Sequence, residues 1–83
     1  MDPSFAEAYG NLGNALKELG DINAAVQSYL KAIKLKPRFS DAYNNLASAY
    51  AQLGETKQSI DTYEMALVLN PGLADARRYN YSV

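Results

Sequence analysis

Two stretches of the sequence, 34 positions apart, follow one pattern: PSFAEAYGNLGNALKELG at residues 3–20 and PRFSDAYNNLASAYAQLG at residues 37–54. Continued to the end of each unit, this offset gives 12 identical pairs in 34 positions without a gap. The prolines of the chain keep the same spacing: Pro3, Pro37 and Pro71. A fixed period of about 20–50 residues is typical of stacked supersecondary units. We therefore predict two full units, 3–36 and 37–70, and a partial third unit, 71–83.

Each unit contains two apolar stripes at helical spacing. In the first unit these stripes are Ala8, Tyr9, Leu12, Ala15, Leu16 and Leu19, then Ala25, Val26, Tyr29, Ala32 and Ile33. We expect them to be packing faces. Gly20 between them suits a left-handed C-cap, and Asp21 suits the N-cap of the next helix. Pro37 ends the second helix because proline lacks an N–H. The predicted helices lie near 5–19, 22–35, 39–53, 56–69 and 73–82.

The spacing of large and small residues within a unit resembles the tetratricopeptide repeat pattern. The matching residues are Tyr9, Leu12-Gly13, Leu16, Ala25, Tyr29 and Pro37, then Tyr43, Leu46-Ala47, Tyr50, Ser59, Tyr63 and Pro71. The resemblance implies an all-α fold. It would be a single domain over residues 1–83, a right-handed α-solenoid of antiparallel helix pairs with a partial third or capping helix. We expect the tyrosines of the pattern to pack in the core rather than to form a ligand cage.

Composition excludes several classes of function. The net charge of −1 argues against nucleic acid as the main partner. The chain has no Cys and no His, so it lacks the usual nucleophile, general base and zinc ligands. We expect no catalytic residue, no metal and no cofactor, and therefore no enzyme. No apolar run spans a membrane and the start does not read as a signal peptide, which predicts an intracellular location, cytoplasmic or nuclear.

Arrays of stacked helix pairs use a concave face to hold extended peptides. In families of this kind the first helix of each pair lines that face. Asparagines lie in the middle of both first helices, although Asn costs up to about 0.7 kcal/mol there relative to Ala. An amide both donates and accepts hydrogen bonds, so it can pair with any peptide backbone. The predicted peptide-binding residues are Asn11, Asn45, Asn14, Asn44, Ser48, Lys17 and Asp41.

A narrower resemblance concerns the repeat arrays of O-linked N-acetylglucosamine transferases. The similar phrases are Ala6-Glu7-Ala8-Tyr9, Asn11-Leu12-Gly13-Asn14, Asp41-Ala42-Tyr43 and Asn45-Leu46-Ala47. The resemblance implies that the chain is a fragment of a larger protein, in which an inner ladder of asparagines selects protein substrates. Asn11 and Asn45 match the ladder position, whereas the third unit has Tyr79 there. No catalytic domain of such an enzyme lies in the sequence.

Two other functions remain open. A receptor for chaperone tails would hold a terminal carboxylate with Asn14 and Asn45, but its cationic positions fall on Gly10, Asp75 and Tyr79. A scaffold would instead associate with its own kind, because end-to-end stacking of copies buries both ends of an array. The residues predicted for self-association are the last apolar residues of the sequence: Tyr79, Tyr81 and Val83.

Overall fold

The computed structural model describes residues 3–73, with side chains from residue 5 onwards. These residues form four α-helices and no strand: α1 (Pro3–Glu18), α2 (Ile22–Leu35), α3 (Ser40–Gln52) and α4 (Thr56–Leu69). The bounds predicted for α2 and α4 are confirmed, and those for α1 and α3 differ by one or two residues. The final predicted helix falls almost entirely outside the described residues. The fold is an all-α helical solenoid.

The two turns inside the helix pairs have the same geometry. Gly20 and Gly54 adopt φ values of 90° and 80°, in the left-handed region that side chains disfavour. The N–H of Asp21 then donates to the carbonyl of Leu16 at 2.9 Å, and the N–H of Glu55 repeats this bond in the second turn. Such bonds satisfy carbonyls that the helix end would otherwise leave free. The left-handed cap predicted at Gly20 is confirmed, and Gly54 repeats it in the second unit.

The helix starts differ between the two units. Asp21 caps α2, because its Oδ1 accepts a hydrogen bond from the N–H of Ala24 at 3.3 Å. Glu55 holds the equivalent position before α4 and makes no such bond. An acidic N-cap of the right length satisfies one of the free N–H groups of the first turn. The extra methylene of Glu55 accompanies the loss of that bond in the second unit.

The core lies where α2 is enclosed between α1 and α3. Its buried residues are Ala25, Val26, Tyr29, Leu46 and Ala49. Ala32 and Ala66, which the sequence predicts at close helix approaches, are both fully buried. Tyr29 is fully buried as well, whereas the other tyrosines of the pattern are half-buried: Tyr9, Tyr43, Tyr50 and Tyr63. The tyrosines therefore pack as expected, but only one of them is a full core residue.

The predicted packing face of α1 is only partly buried. Leu12 is 48% exposed and Leu19 is 81% exposed, and Ala8 and Ala15 are exposed as well. The expectation that the whole stripe is a buried face is wrong for these residues. The equivalent stripe of α3 is covered by α2, so that Leu46 is only 3% exposed. In α1 no described helix covers this face. We call it the outer face of α1; its residues are Phe5, Ala8, Leu12, Ala15 and Leu19.

Candidate functional site

A polar groove of about 500 Å³ separates α1 from α3, the first helices of the two units. Its lining residues are Glu7, Gly10, Asn11, Asn14, Phe39, Asp41, Ala42, Asn44 and Asn45. Five of the seven predicted peptide-binding residues therefore share one groove. The 34-residue period places Asn11 and Asn45 at equivalent positions of neighbouring helices. Asn11 and Asn45, one unit apart, can thus present the same chemical group to one extended ligand.

The asparagines of the groove differ in accessibility. Asn11 is exposed, whereas Asn44 and Asn45 are half-buried. Among the described residues, none of these three side chains has a hydrogen-bond partner within the protein. Their amide donors and acceptors are therefore available to a ligand. A half-buried amide also loses less freedom on binding than a fully mobile one.

Asn14 is held by the core. The hydroxyl of the buried Tyr29 donates a hydrogen bond to Oδ1 of Asn14. Because the oxygen is engaged, the two N–H donors of the same amide remain for the groove. Burial also raises the pKa of the Tyr29 hydroxyl, so this hydroxyl keeps its proton through the neutral range. Asn14 is thus a hydrogen-bond donor whose orientation is fixed by its bond to the buried Tyr29.

Lys17 and Ser48 do not line the polar groove; they bridge its two helices instead. Nζ of Lys17 donates to Oγ of Ser48 at 2.8 Å, across 31 residues of sequence. Both side chains are half-buried. The bond connects α1 to α3 next to the groove, where the two helices otherwise touch little. We interpret this pair as a spacer that fixes the width of the groove.

The charge of the groove is negative. Glu7 and Asp41 are equivalent residues of the two units, and both are exposed at its wall. No lysine or arginine lies among the lining residues. The two carboxylates give the lining residues a net negative charge, which favours a ligand that brings a positive charge. The tail-receptor hypothesis needs the opposite polarity, and Gly10, one of its cationic positions, lies buried in this wall.

Phe39 is a groove residue that the sequence analysis missed. Its ring is half-buried and covers Gly10, where an added Cβ would lie 3.4 Å from Cε2 of Phe39. Nζ of Lys36 lies 4.6 Å from the centre of the same ring, in cation–π contact. The sequence does carry a signal, because Phe39 repeats Phe5 at the 34-residue period and directly precedes α3. Phe39 supplies the apolar surface of an otherwise polar groove.

A second groove of about 360 Å³ lies between α3 and α4. Its lining residues are Asn44, Ala47, Ser48, Ala51, Ser59, Ile60, Tyr63 and Glu64. Asn44 borders both grooves, so the two surfaces are continuous. Ser59 is not available in this groove as a donor, because its Oγ already donates to the carbonyl of Ala47 at 2.8 Å. The second groove is the more apolar of the two surfaces.

Within residues 3–73 no three acidic side chains are grouped as a metal site would require. In the same part of the chain, no helix has the length and apolar character needed to cross a membrane. The residues predicted for self-association, Tyr79, Tyr81 and Val83, lie outside the described range. Asp75, the second cationic position of the tail-receptor hypothesis, lies outside it too.

Comparison with known proteins agrees with the fold. Residues 40–73 match a family model described as tetratricopeptide repeat. The crystal structure of MamA is similar with a TM-score of 0.78 and 30% identity, over 86% of this chain and 42% of that one. A probable UDP-N-acetylglucosamine–peptide N-acetylglucosaminyltransferase, SEC of Arabidopsis thaliana, is 54% identical over 33 residues. That match covers 40% of this chain and 3% of the plant protein, so the chain spans a small part of the relatives it matches.

A second family model, described as TPR repeat, matches residues 13–54, which is half of the chain. The match runs from the middle of α1 to the turn before α4 and includes the core around α2. Repeats of this kind are binding modules for proteins and peptides, and their concave surfaces do that work. The four helices, the period of 34 residues and both family matches lead to one conclusion: the chain belongs to the tetratricopeptide repeat family.

Proposed function

We propose that the groove between α1 and α3 binds an extended segment of a partner protein. The observation that carries this proposal is the clustering of four asparagines, Asn11, Asn14, Asn44 and Asn45, around one open groove. Four amides in one groove are hard to explain by stability, since each is a poor helix former. Of these four asparagines, only Asn14 has a side-chain hydrogen-bond partner among the described residues.

The amides would recognise the main chain of the ligand. A peptide backbone offers one N–H donor and one carbonyl acceptor per residue, and an amide side chain matches both. Asn11 and Asn45 are equivalent residues of successive units and would contact successive stretches of the ligand. This recognition does not depend on the side chains of the ligand, so one groove would accept many sequences.

The carboxylates would add a preference. Glu7 and Asp41 favour a ligand with a lysine or arginine near the amide contacts, because an opposite charge at the groove wall raises both affinity and association rate. Phe39 adds apolar surface to the groove, although Nζ of Lys36 already lies over one face of its ring. The proposed ligand is therefore an extended, basic segment.

The larger context of the chain is a separate part of the proposal. The match to the plant transferase favours a repeat array that selects protein substrates for a glycosyltransferase. Asn11 and Asn45 would then belong to a longer ladder of amides. The rest of the parent protein tests this part directly, because an array of that kind requires a glycosyltransferase domain in the same polypeptide.

Peptide titration followed by amide NMR tests the groove. The probe is a library of extended peptides that each carry one arginine in a Gly-Ser background. We expect chemical-shift changes at the side-chain amides of Asn11 and Asn45. Replacing both by Ala should weaken binding about fivefold or more, since a lost hydrogen bond costs about 1 kcal/mol.

Asn23→Ala is the matched control, because Asn23 is exposed on α2 and does not line the groove. It should leave the affinity unchanged. Shift changes confined to α2 and α4, or equal effects of the control and the double variant, would refute groove binding.

A second candidate function is self-assembly, and one observation favours it. Leu12 is 48% exposed on α1, while the equivalent Leu46 is 3% exposed because α2 covers it. An apolar helix face of this kind is an interaction surface when it is contiguous. Sedimentation across a wide concentration range tests this function, because an associating chain gains mass with concentration.

A further inference from the structure

We propose that α4 of a second copy docks on the outer face of α1, in the register that α2 has on α3. This inference rests on the self-assembly function and adds its partner, its two surfaces and its register. It would make the assembly head-to-tail. Such heterologous contacts can continue from copy to copy without closing.

The template for the contact is present within the chain. Val26 and Tyr29 of α2 form one buried cluster with Leu46 and Ala49 of α3, and Ile33 packs against that cluster. Val26 is 6% exposed and Leu46 is 3% exposed. This interface joins the second helix of one unit to the first helix of the next. The proposed contact repeats this interface between α4 of one copy and α1 of another.

The outer face of α1 carries the same residues as the α3 side of the template. Leu12 and Ala15 stand where α3 has Leu46 and Ala49, and the residue types are identical. Leu12 is 48% exposed, in contrast to 3% for Leu46. A surface that already fits one helix in this protein is therefore repeated without a cover among the described residues.

The face of α4 carries the chemistry of the α2 side. By the 34-residue period, Ile60, Tyr63 and Leu67 replace Val26, Tyr29 and Ile33, so each position stays apolar or aromatic. Ile60 is 55% exposed, in contrast to 6% for Val26. Both halves of the template therefore recur at opposite ends of the described structure.

The sequence after α4 favours a second copy over the chain's own third unit as the occupant. By the same period, the third unit keeps an apolar residue, Val83, at the position of Ala49 but has Asn80 at the position of Leu46. An amide at the position of Leu46 would put a polar group where the template has a leucine of the buried cluster. Leu12 of a second copy supplies a leucine there instead.

Sedimentation equilibrium with two single variants tests the proposal. The wild-type weight-average mass should rise above the 9.1 kDa of one chain as concentration increases. Leu12→Asn damages the α1 face and Ile60→Asn damages the α4 face. Each should lower the association constant about tenfold or more, because buried apolar area is the main favourable contribution. Both side chains are exposed in the single chain, so circular dichroism should report intact helices.

Mixing the two variants gives a sharper result. Leu12→Asn keeps a sound α4 face and Ile60→Asn keeps a sound α1 face, so the mixture should form dimers that grow no further. Val68→Asn is the matched control, since Val68 is 72% exposed at the position of Lys34, which stays exposed beside α3. It should associate like the wild type.

Three results would overturn the proposal. A wild-type mass that stays at one chain across the range removes self-assembly altogether. Association that neither variant weakens leaves self-assembly standing but moves it to another surface. Loss of association in Leu12→Asn alone indicates pairing of two α1 faces. The peptide titration uses dilute protein, in which association is weak. Its outcome therefore does not depend on any of these three results.

Discussion

The ring of Tyr29 occupies the space in which a side chain on residue 13 would lie. A Cβ built on Gly13 would be 2.6 Å from Cε1 of Tyr29, closer than real Cβ contacts allow. Tyr29 is fully buried, so the ring has no free space into which to move. The close approach of α1 to α2 therefore depends on a glycine at position 13 opposite the ring of Tyr29. In the second unit Ala47 and Tyr63 hold these positions, and Tyr63 is only half-buried.

Gly13→Ala should destabilise the chain by about 1–3 kcal/mol, because the added methyl overpacks the contact with Tyr29. This outcome runs against helix propensity, which favours Ala over Gly by about 1 kcal/mol. Urea denaturation followed by circular dichroism measures the difference. The sign of the effect distinguishes packing from propensity.

Gly10→Ala is the control for Gly13→Ala. Both glycines are buried in α1, but a Cβ on Gly10 would lie 3.4 Å from Phe39, at an ordinary contact distance. Propensity should therefore prevail, and we expect a gain of up to about 1 kcal/mol. Equal stability of the two variants would contradict the close approach of Tyr29 to Gly13.

The bond from Tyr29 to Asn14 should contribute to stability at neutral pH. Tyr29→Phe removes the hydroxyl donor and should cost about 0.5–1.5 kcal/mol. A double-mutant cycle with Asn14→Ala isolates the pair, because the two changes should be less than additive. Tyr50→Phe serves as the control, since the hydroxyl of Tyr50 has no hydrogen-bond partner within the described residues. Additive losses in the cycle would show that the two side chains do not act together.

The same hydroxyl predicts a pH dependence. Burial raises the pKa of Tyr29, so the unfolded chain releases this proton near pH 10 and the folded chain only at higher pH. The contribution to stability is complete below about pH 10 and is lost as the pH rises through the folded-state pKa. The difference in unfolding free energy between the wild type and Tyr29→Phe should therefore shrink above about pH 10. A constant difference from pH 7 to 11 would contradict this prediction.

The helices and turns were predictable because their determinants are local. Gly20 and Gly54 adopt the left-handed turns that only glycine tolerates easily, and the apolar spacing defines helices between them. Two helices begin and end at the predicted residues. A strict repeat also removes most of the ambiguity, since each unit must satisfy the same pattern.

The exposure of Leu12 does not follow from the same pattern. Leu12 and Leu46 are equivalent residues of the repeat, yet one side chain is exposed and the other is buried. The two leucines differ in burial because α2 packs over Leu46, whereas no described helix packs over Leu12. The sequence of a single unit does not determine which helix packs beside it. The engagement of Asn14 by Tyr29, and of Lys17 by Ser48, likewise depends on contacts between helices. The clustering of the asparagines was predictable, because the repeat itself aligns their helices.

The bond between Lys17 and Ser48 should matter more for the groove than for stability. Ser48→Ala should change the unfolding free energy by less than about 1 kcal/mol, because the lysine can return to water. The distance between α1 and α3 should vary more once the bond is lost. Paired spin labels on the two helices, read by pulsed electron resonance, should report a broader distance distribution. An unchanged distribution would mean that the core alone sets the groove width.

The carboxylates of the groove should determine its preference for basic ligands. Glu7→Gln combined with Asp41→Asn should weaken binding of an arginine-containing peptide about fivefold at low salt. The effect should decline at about 0.15 M salt, where charges more than about 8 Å apart are screened. Asp61→Asn is the control, because Asp61 is exposed on α4 and lines neither groove. A peptide with citrulline in place of arginine should bind the wild type and the double variant equally. If the arginine peptide also does so, ligand charge is not recognised by Glu7 and Asp41, and the amides alone would select the main chain.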